Sequence, residues 1–350
     1  MSFKKLISWS NQNYSDLPWR KNRSLYFTLV SEIMLQQTTV TTVLNHFDRF
    51  IKKYPDIFKL ANASEEEMAV AWKGLGYYRR AKNLRNAAIT IVNDYNGDIP
   101  LNFEQLIKIN GIGEYTANAL IAIGANKRAI ALDANLERVL SRIYQIDNFN
   151  KGPKLLKEIY RLFNENKILK NQKSYRELNE SLMDLGRTYC QSRKVYCESC
   201  PISNNCNSYK SLDPLTLPKS ELKNKKQKFY ELDLLRVIVK KKKSLLGVVK
   251  KESQWLSNQI ELPTFILKSE DKNLKNQYPK FPKRISYNKL SKYKTSITKY
   301  KITNYIIEMN ESEFEEIKNK EDKFVTFSLK NIQEQNVSTA TLKGINKWRN

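Results

Sequence analysis

Four cysteines are the residues of this sequence with the clearest capacity for chemistry. Cys190, Cys197, Cys200 and Cys206 follow the spacing C-x6-C-x2-C-x5-C, and the chain has no other cysteine. Four thiolates so close in sequence can ligate zinc or an iron–sulfur cluster. Their confinement to one segment argues against disulfides distributed through a secreted fold. The spacing predicts a metal centre and leaves zinc and iron–sulfur as alternatives.

A short turn, INGIGEY at residues 109–115, has the composition of an anion-binding site. Gly111, Ile112 and Gly113 precede a helical run that begins near Tyr115. Two glycines at the start of a helix expose backbone N–H groups at the positive end of the helix dipole, where a phosphate oxygen can approach. The same glycines also suit a tight connection between two helices. Both interpretations stay open on spacing alone.

Two carboxylic acids lie in contexts that predict opposite protonation states. Glu32 has Leu29 and Leu35 as its three-residue neighbours on a helix, and apolar surroundings predict a raised pKa, as an acid catalyst needs. The alternative for Glu32 is a solvent-facing glutamate on an amphipathic helix. Asp133 precedes the helical run ANLERVLSRI, so it suits an N-cap whose pKa the helix N-terminus lowers. An anion there could stabilise a developing cation.

The elements that must position these residues change in character along the chain. From Tyr26 to about Cys206, apolar residues recur at three- and four-residue spacing, which predicts helices. After Cys206, a segment with prolines and a lysine cluster is typical of a linker, and alternating runs beyond it predict strands. We therefore predict a mainly α region at 1–212 with the cysteine loop at 190–206, a linker at 213–228 and an α+β domain at 229–350.

The composition indicates a polyanionic partner. Lys plus Arg total 61 against 36 for Asp plus Glu, which gives a formal charge of +25. Such an excess attracts nucleic acid, although a bias toward lysine codons is a compositional alternative. No stretch approaches the length of a membrane span, and the first residues lack an apolar signal segment. We expect a cytoplasmic monomer with no membrane association.

Several segments carry a resemblance to a known family. LIKINGIGEYTANAL, followed by ALDAN with Asp133, resembles the helix-hairpin-helix DNA glycosylase superfamily that includes endonuclease III. Within it, the order of motifs is similar to the MutY family of adenine DNA glycosylases. The segments are LPWR at 17–20, SEIMLQQT at 31–38, GLGYYRRAKNL at 74–84, LDANLERVL at 132–140 and LNESLMDLG at 178–186. They extend over the first predicted domain.

The resemblance implies an activity, a cofactor and a partner. The activity is excision of adenine mispaired with 8-oxoguanine or guanine in double-stranded DNA, with little or no strand cleavage. The cysteine spacing matches the family's iron–sulfur loop, so the implied cofactor is a 4Fe-4S cluster. The second domain resembles Nudix hydrolases but lacks their glycine-led box, so it is expected to bind rather than cut. The alternatives are another helix-hairpin-helix glycosylase, acting on thymine mispairs or oxidised pyrimidines, and a non-catalytic DNA-binding protein.

The resemblance also implies roles for individual residues. Glu32 protonates adenine at N7, Asp133 stabilises the cationic sugar, and Asn135 helps to hold this centre. Tyr115 stands where bifunctional relatives have a lysine, and because a phenol cannot form a Schiff base, water is left as the final nucleophile.

The implied DNA contacts fall into four groups. They are the phosphate contacts Gly111, Ile112 and Gly113; the residues at the base stack Leu35, Gln37, Thr38 and Tyr77; the adenine pocket Trp19, Arg20 and Glu180; and Thr298, in the loop where the family usually carries Phe-Ser-His.

Overall fold

The computed structural model describes residues 2–211, 213–219, 229–271, 274, 276–283 and 285–350. The described residues of Met1–Met68 and Arg79–Lys223 form one compact unit, and those of Ala69–Tyr78 and Asn224–Asn350 form a second. The predicted linker 213–228 falls partly outside the described residues, at 220–228. The boundaries 1–212 and 229–350 stay a prediction.

The first unit is helical, as the three- and four-residue periodicity predicts. Its helices are α1 (Lys4–Tyr14), α2 (Pro18–Lys21), α3 (Leu25–Leu35), α4 (Val40–Lys53), α5 (Ile57–Ala61), α6 (Glu65–Ala71), α7 (Arg79–Tyr95), α8 (Phe103–Leu106), α9 (Glu114–Ala119), α10 (Ala134–Tyr144), α11 (Pro153–Asn164), α12 (Tyr175–Thr188) and α13 (Asn207–Ser211). The last residues of α6 belong to the second unit. A π-helical turn, Leu120–Gly124, continues α9.

Side-chain caps explain where several of these helices begin. The Ser24 hydroxyl accepts a hydrogen bond from the Phe27 N–H at the start of α3, and Ser174 does the same for α12. Such caps satisfy N–H groups that have no partner inside the helix. Leucine and isoleucine side chains of α1, α10, α11 and α12 pack into one hydrophobic core. This core holds the helix that begins after Asp133.

The second unit combines strands and helices, which confirms the α+β prediction for this part of the chain. The elements are β1 (Tyr230–Lys241), β2 (Ser244–Val249), β3 (Ile260–Glu261), β4 (Thr264–Ser269), β5 (Lys292–Ile297), β6 (Tyr300–Met309), α14 (Glu311–Glu315), β7 (Lys323–Ser328) and α15 (Thr339–Arg349). Among the described residues the strand order is β3-β2-β1-β6-β5, with β4 on β1 and β7 on β2. β1 and β6 are parallel; β5 and β6 form an antiparallel hairpin.

A helix that spans a membrane needs about 20 predominantly apolar residues. Within the parts of the chain that the structure describes, no helix combines the length and the apolar character needed to cross a bilayer.

Candidate active site

Glu32 is a buried carboxylic acid on α3. Only 5% of its surface is exposed, because every residue of α3 from Thr28 to Met34 is buried. Burial raises the Glu32 pKa to about 7, and the charges of Asp133 and Glu180 act in the same direction. A solvent-facing glutamate is therefore excluded. At neutral pH a large fraction of Glu32 carries a proton that it can donate.

Tyr115 lies in direct contact with Glu32. Its hydroxyl donates a hydrogen bond of 2.5 Å to Glu32 Oε2 from the first turn of α9. Burial raises the Tyr115 pKa well above its usual value, so the phenol stays neutral and keeps its proton for this bond. Tyr115 therefore orients the acid as well as filling space beside it.

Asp133 is the N-cap of α10, as its place before the helical run predicts. Its Oδ1 accepts hydrogen bonds from the backbone N–H groups of Asn135 (2.9 Å) and Leu136 (2.8 Å). The expectation that the pKa of Asp133 is lowered overall is wrong. Burial raises the Asp133 pKa, and the backbone hydrogen bonds offset only part of that effect. Desolvation outweighs the helix terminus here.

Glu32, Tyr115 and Asp133 form one electrostatic cluster. The negative charge of Asp133 raises the pKa of both Glu32 and Tyr115. Two acids that interact in this way titrate as a pair, and the second proton is lost with greater difficulty than the first. The cluster therefore can present one protonated and one ionised carboxyl near neutral pH.

Asn135 holds the turn that carries Asp133 rather than facing solvent. Its Nδ2 donates to the Met183 carbonyl of α12 at 3.3 Å, and its Oδ1 accepts a bond from Arg138. Gly186 makes this approach possible, because a Cβ added at Gly186 would lie 2.1 Å from Asn135 Oδ1. Asn135 thus acts by positioning: its side chain joins α10 to α12 and its N–H binds Asp133.

Arg138 is a site residue that the sequence analysis missed. Its Nε donates to the Cys190 carbonyl at 2.9 Å, and its Nη2 donates to the Gly186 carbonyl at 3.0 Å as well as to Asn135. It lies three residues after Asn135 on α10, a spacing at which side chains on a helix meet. That spacing is the sequence signal that could have predicted a contact between Arg138 and Asn135. Arg138 links the cysteine loop to the turn of Asp133.

The predicted adenine-pocket residues belong to a buried network of ion pairs. Arg20 forms two hydrogen bonds with Asp184, of 2.9 and 3.2 Å. Glu180 is bound by Arg23 through both carboxylate oxygens, at 2.6 and 3.0 Å. Trp19 is buried and packs edge-on against a phenylalanine of α4. Sequence analysis missed Arg23 and Asp184.

The charges of this network act on the pKa of Glu32. Glu180 raises the Glu32 pKa and Arg20 lowers it. The structure therefore brings Arg20 and Glu180, which are far apart in the chain, near Glu32.

The two glycines of the turn before α9 differ in their surroundings: packing requires a glycine at one position, and the other faces open space. Gly111 has a φ of 96°, and a Cβ added there would lie 2.3 Å from the Asn83 carbonyl oxygen. Gly113 is the N-cap of α9, and a Cβ added to it meets no atom within 4 Å. Ile112 between them is buried. The N-terminal side of α9 is thus unobstructed at Gly113, as an approaching phosphate requires.

The residues predicted to reach a base stack lie at the end of a helix and in turns. Leu35 is the last residue of α3 and is half-buried, and Gln37 is exposed with a left-handed φ of 55°. Thr38, half-buried, follows it. Tyr77, which belongs to the second unit, has 62% of its surface exposed and a φ of 48°. Exposed side chains on turns suit insertion into DNA.

All four cysteines line one small cavity beside the end of α12, together with Arg142. Arg142 is buried, and its Nη1 donates to Cys190 Sγ at 3.4 Å. No group of three or more His, Cys, Asp or Glu among the described residues is arranged to hold a single metal ion. Four cysteine sulfur atoms around a shared cavity are a donor set that either zinc or an iron–sulfur cluster accepts.

Thr298 lies at the tip of the hairpin in the second unit. Ile297 of β5 pairs with Tyr300 of β6, so Thr298 and Lys299 form the connecting turn. Thr298 is exposed and has a left-handed φ of 48°. The position leaves its hydroxyl available to a ligand.

Comparisons with known proteins agree with the arrangement of the first unit. Residues 30–165 match the family described as HhH-GPD superfamily base excision DNA repair protein. The chain is 36% identical over 202 residues to the adenine DNA glycosylase of Buchnera aphidicola subsp. Acyrthosiphon pisum (strain APS), an alignment that covers 57% of each chain. It is 32% identical over 258 residues to the adenine DNA glycosylase of Buchnera aphidicola subsp. Schizaphis graminum (strain Sg), covering 73% of this chain and 70% of that relative.

A solved structure shares the fold of the first unit. A thermostable thymine-DNA glycosylase is 31% identical with a TM-score of 0.51, and the match covers 59% of this chain and 94% of that one. The alignments with the two Buchnera aphidicola relatives cover 57% and 70% of the length of those relatives.

Proposed function

The chain belongs to the HhH-GPD superfamily of base excision DNA repair proteins, and we propose that it is an adenine DNA glycosylase. The substrate is adenine opposite 8-oxoguanine or guanine in double-stranded DNA. The observation that carries this proposal is the Tyr115–Glu32 hydrogen bond, which orients an acid whose pKa is raised to about 7, beside Asp133. Cleavage of an N-glycosidic bond needs this combination of a proton donor and an anion.

Glu32 is the proton donor in this proposal. The adenine anion is a poor leaving group, so a ring nitrogen is protonated before the glycosidic bond breaks. The resemblance implies that Glu32 protonates N7. Tyr115 binds one carboxyl oxygen and leaves the other for the base. Transfer of the proton makes the base a better leaving group.

Asp133 stabilises the sugar cation that remains. Its Oδ1 is bound by two backbone N–H groups, so the carboxylate is held in one orientation. A fixed negative charge in a water-poor site stabilises a developing positive charge more strongly than water does. After Glu32 has given up its proton, the carboxylate can orient the attacking water.

Tyr115 supports hydrolysis without strand cleavage. Its neutral phenol is hydrogen-bonded to Glu32 and offers no amine to attack the sugar.

The second candidate function is thymine-DNA glycosylase activity, which the 31% identity to a solved enzyme of that name favours. A single set of substrates separates the two.

The test is single-turnover excision on duplexes with adenine opposite 8-oxoguanine, guanine, cytosine and thymine, with thymine mispairs and oxidised pyrimidines alongside. We expect excision of adenine opposite 8-oxoguanine and guanine. The strands should stay intact until they are heated in alkali, since no Schiff base forms. Preferred removal of thymine would support the second candidate. Strand breaks without alkali, with a product trapped by borohydride, would contradict the assigned role of Tyr115.

The cysteine loop is proposed to hold a 4Fe-4S cluster through Cys190, Cys197, Cys200 and Cys206. The donor set of four thiols around one cavity fits this group. Bound there, the cluster supplies a cross-link that stabilises the loop at 190–206. Arg142 contributes a positive charge and an N–H donor next to Cys190 Sγ.

Metal content tests this assignment directly. Anaerobically purified protein should contain about four iron and about four sulfide per chain. A Cys200→Ser variant should lose iron, while the unrelated Glu104→Gln variant should retain it. Stoichiometric zinc without iron in the wild-type protein would refute the cluster.

The second unit is proposed to recognise the base opposite adenine. Thr298 at the exposed hairpin tip offers a hydroxyl, and the neighbouring Lys299 offers a positive charge. The formal charge of +25 over the whole sequence supports attraction to the DNA backbone. The resemblance of the second unit to Nudix hydrolases is part of this proposal.

A further inference from the structure

Arg80 joins the end of α3 to the turn that follows it. It is the second residue of α7, and only 8% of its surface is exposed. The guanidinium makes four hydrogen bonds to this segment. Nη1 donates to the carbonyls of Ile33 (3.0 Å), Met34 (2.7 Å) and Gln36 (2.5 Å), and Nη2 donates to Thr38 Oγ1 (2.9 Å).

These bonds satisfy groups that a helix end leaves without partners. The last carbonyls of a helix have no intrahelical donor and carry the negative end of the dipole, so a buried cation stabilises them. Arginine suits the position because its planar fork presents several N–H groups in fixed directions, whereas lysine is a single point charge. Arg80 therefore fixes the helix end and the turn together.

The turn from Leu35 to Thr38 needs such support. Gln36 leaves the helix with a ψ of 116°, and Gln37 takes a left-handed φ of 55° that side-chain-bearing residues adopt at a cost. A strained turn persists only where neighbouring contacts determine it. Arg80 supplies contacts on both sides of Gln37. A bond of 3.3 Å from Gln36 Nε2 to Thr116 Oγ1 adds one to α9.

The turn also lies next to the acid. Glu32 is buried one turn of α3 before Leu35, so the turn that carries the exposed Gln37 directly follows the helix segment that holds the acid. An enzyme that acts on a base in duplex DNA must extrude that base and stabilise the opened stack. A turn of defined shape beside the acid is suited to that task.

We propose that Arg80 is the positioning residue that holds the Leu35–Thr38 turn in the shape required to extrude adenine. The proposal rests on the proposed function, since extrusion is needed only when the target base lies in a duplex. Arg80 acts through the turn and does not touch the substrate. Its loss impairs opening of the base stack more than the chemical step.

The test compares Arg80→Met and Arg80→Lys with wild type on two substrates. One is a duplex with adenine opposite 8-oxoguanine, and the other carries the adenine in a single-base bulge, where extrusion is easier. A displacement of the turn by an ångström should lower single-turnover excision on the paired substrate by about 100-fold. The loss on the bulge should be clearly smaller, and Arg80→Lys should lie between wild type and Arg80→Met.

A second readout follows extrusion without excision. With 2-aminopurine in place of adenine, the fluorescence rise that accompanies unstacking should be slower in Arg80→Met. Arg85→Met is the matched control, because Arg85 on the same helix donates one 2.5 Å bond to the Ala63 carbonyl, away from the turn. It should behave like wild type. If Arg80→Met fails to fold, Arg80→Lys carries both measurements.

Two outcomes would overturn the inference. Equal losses on the paired and bulged substrates with a normal fluorescence rise would show that Arg80 does not act through extrusion. Wild-type rates in Arg80→Met would show that the turn does not need it. Failure of the wild-type enzyme to excise adenine from either substrate would instead refute the proposed function.

Discussion

Glu32→Gln should lower single-turnover excision of adenine by about 10²- to 10⁴-fold, the usual contribution of a general acid. Glutamine has the same shape and can accept the Tyr115 hydrogen bond, but it has no proton of suitable acidity to give to the base. Binding to a mispaired duplex should be retained, since the buried Glu32 is not a source of charge attraction to phosphates. Near-normal excision by the variant would remove Glu32 as the acid.

The pH dependence provides a check on the same residue. Burial raises the Glu32 pKa to about 7, so the protonated form that donates is present below this pH and is lost above it. Wild-type single-turnover rates should therefore fall as pH rises through about 7, and this limb should be absent in Glu32→Gln. Glu137→Gln is the matched control, because Glu137 is another buried glutamate whose pKa burial raises, on α10 and bound to the Gly152 N–H. It should retain the wild-type limb.

Asp133→Asn should lower the excision rate by about 10²- to 10³-fold, the range seen when one fixed electrostatic contact to a transition state is removed. Asparagine is also a preferred N-cap, so α10 should still begin at the same place. The negative charge that we propose stabilises the sugar cation is lost, however. Single-turnover excision with the variant, at enzyme concentrations that saturate the duplex, measures this effect apart from binding.

A matched control separates the charge from the cap. Asp56 is the N-cap of α5, and its side chain accepts a 2.8 Å bond from the Lys59 N–H. Asp56→Asn makes the same chemical change in the same unit and should leave excision unchanged. Comparable losses in both variants would mean that the effect at Asp133 is one of folding and that its charge has no role in the reaction.

The sequence predicted the secondary structure better than it predicted the environments of individual side chains. Periodicity located the helices that carry Glu32 and Tyr115 because apolar spacing records which helix face is buried. It could not show that burial raises the pKa of Asp133, since desolvation depends on what packs over the helix end. The local rule for an N-cap predicted the opposite direction.

Contacts between distant positions escaped the sequence for a related reason. The Arg23–Glu180 pair joins residues 157 positions apart, and no local pattern announces it. Arg80 stands in the segment at 74–84 that resembles the MutY family, yet its bonds to the end of α3 depend on how α7 packs. The resemblance implies roles for side chains expected to meet the substrate, but it does not imply which residues hold them in place.

The burial of Glu32 also changes how the stability of the fold depends on pH. Its pKa is about 7 in the folded chain and 4.5 as a free side chain, so the folded form holds the proton more tightly. This group therefore does not oppose folding below pH 4.5; its unfavourable contribution grows between pH 4.5 and about 7 and is constant above that range. The carboxyl that we propose as the proton donor thus makes the molecule less stable at neutral pH than in mildly acidic solution.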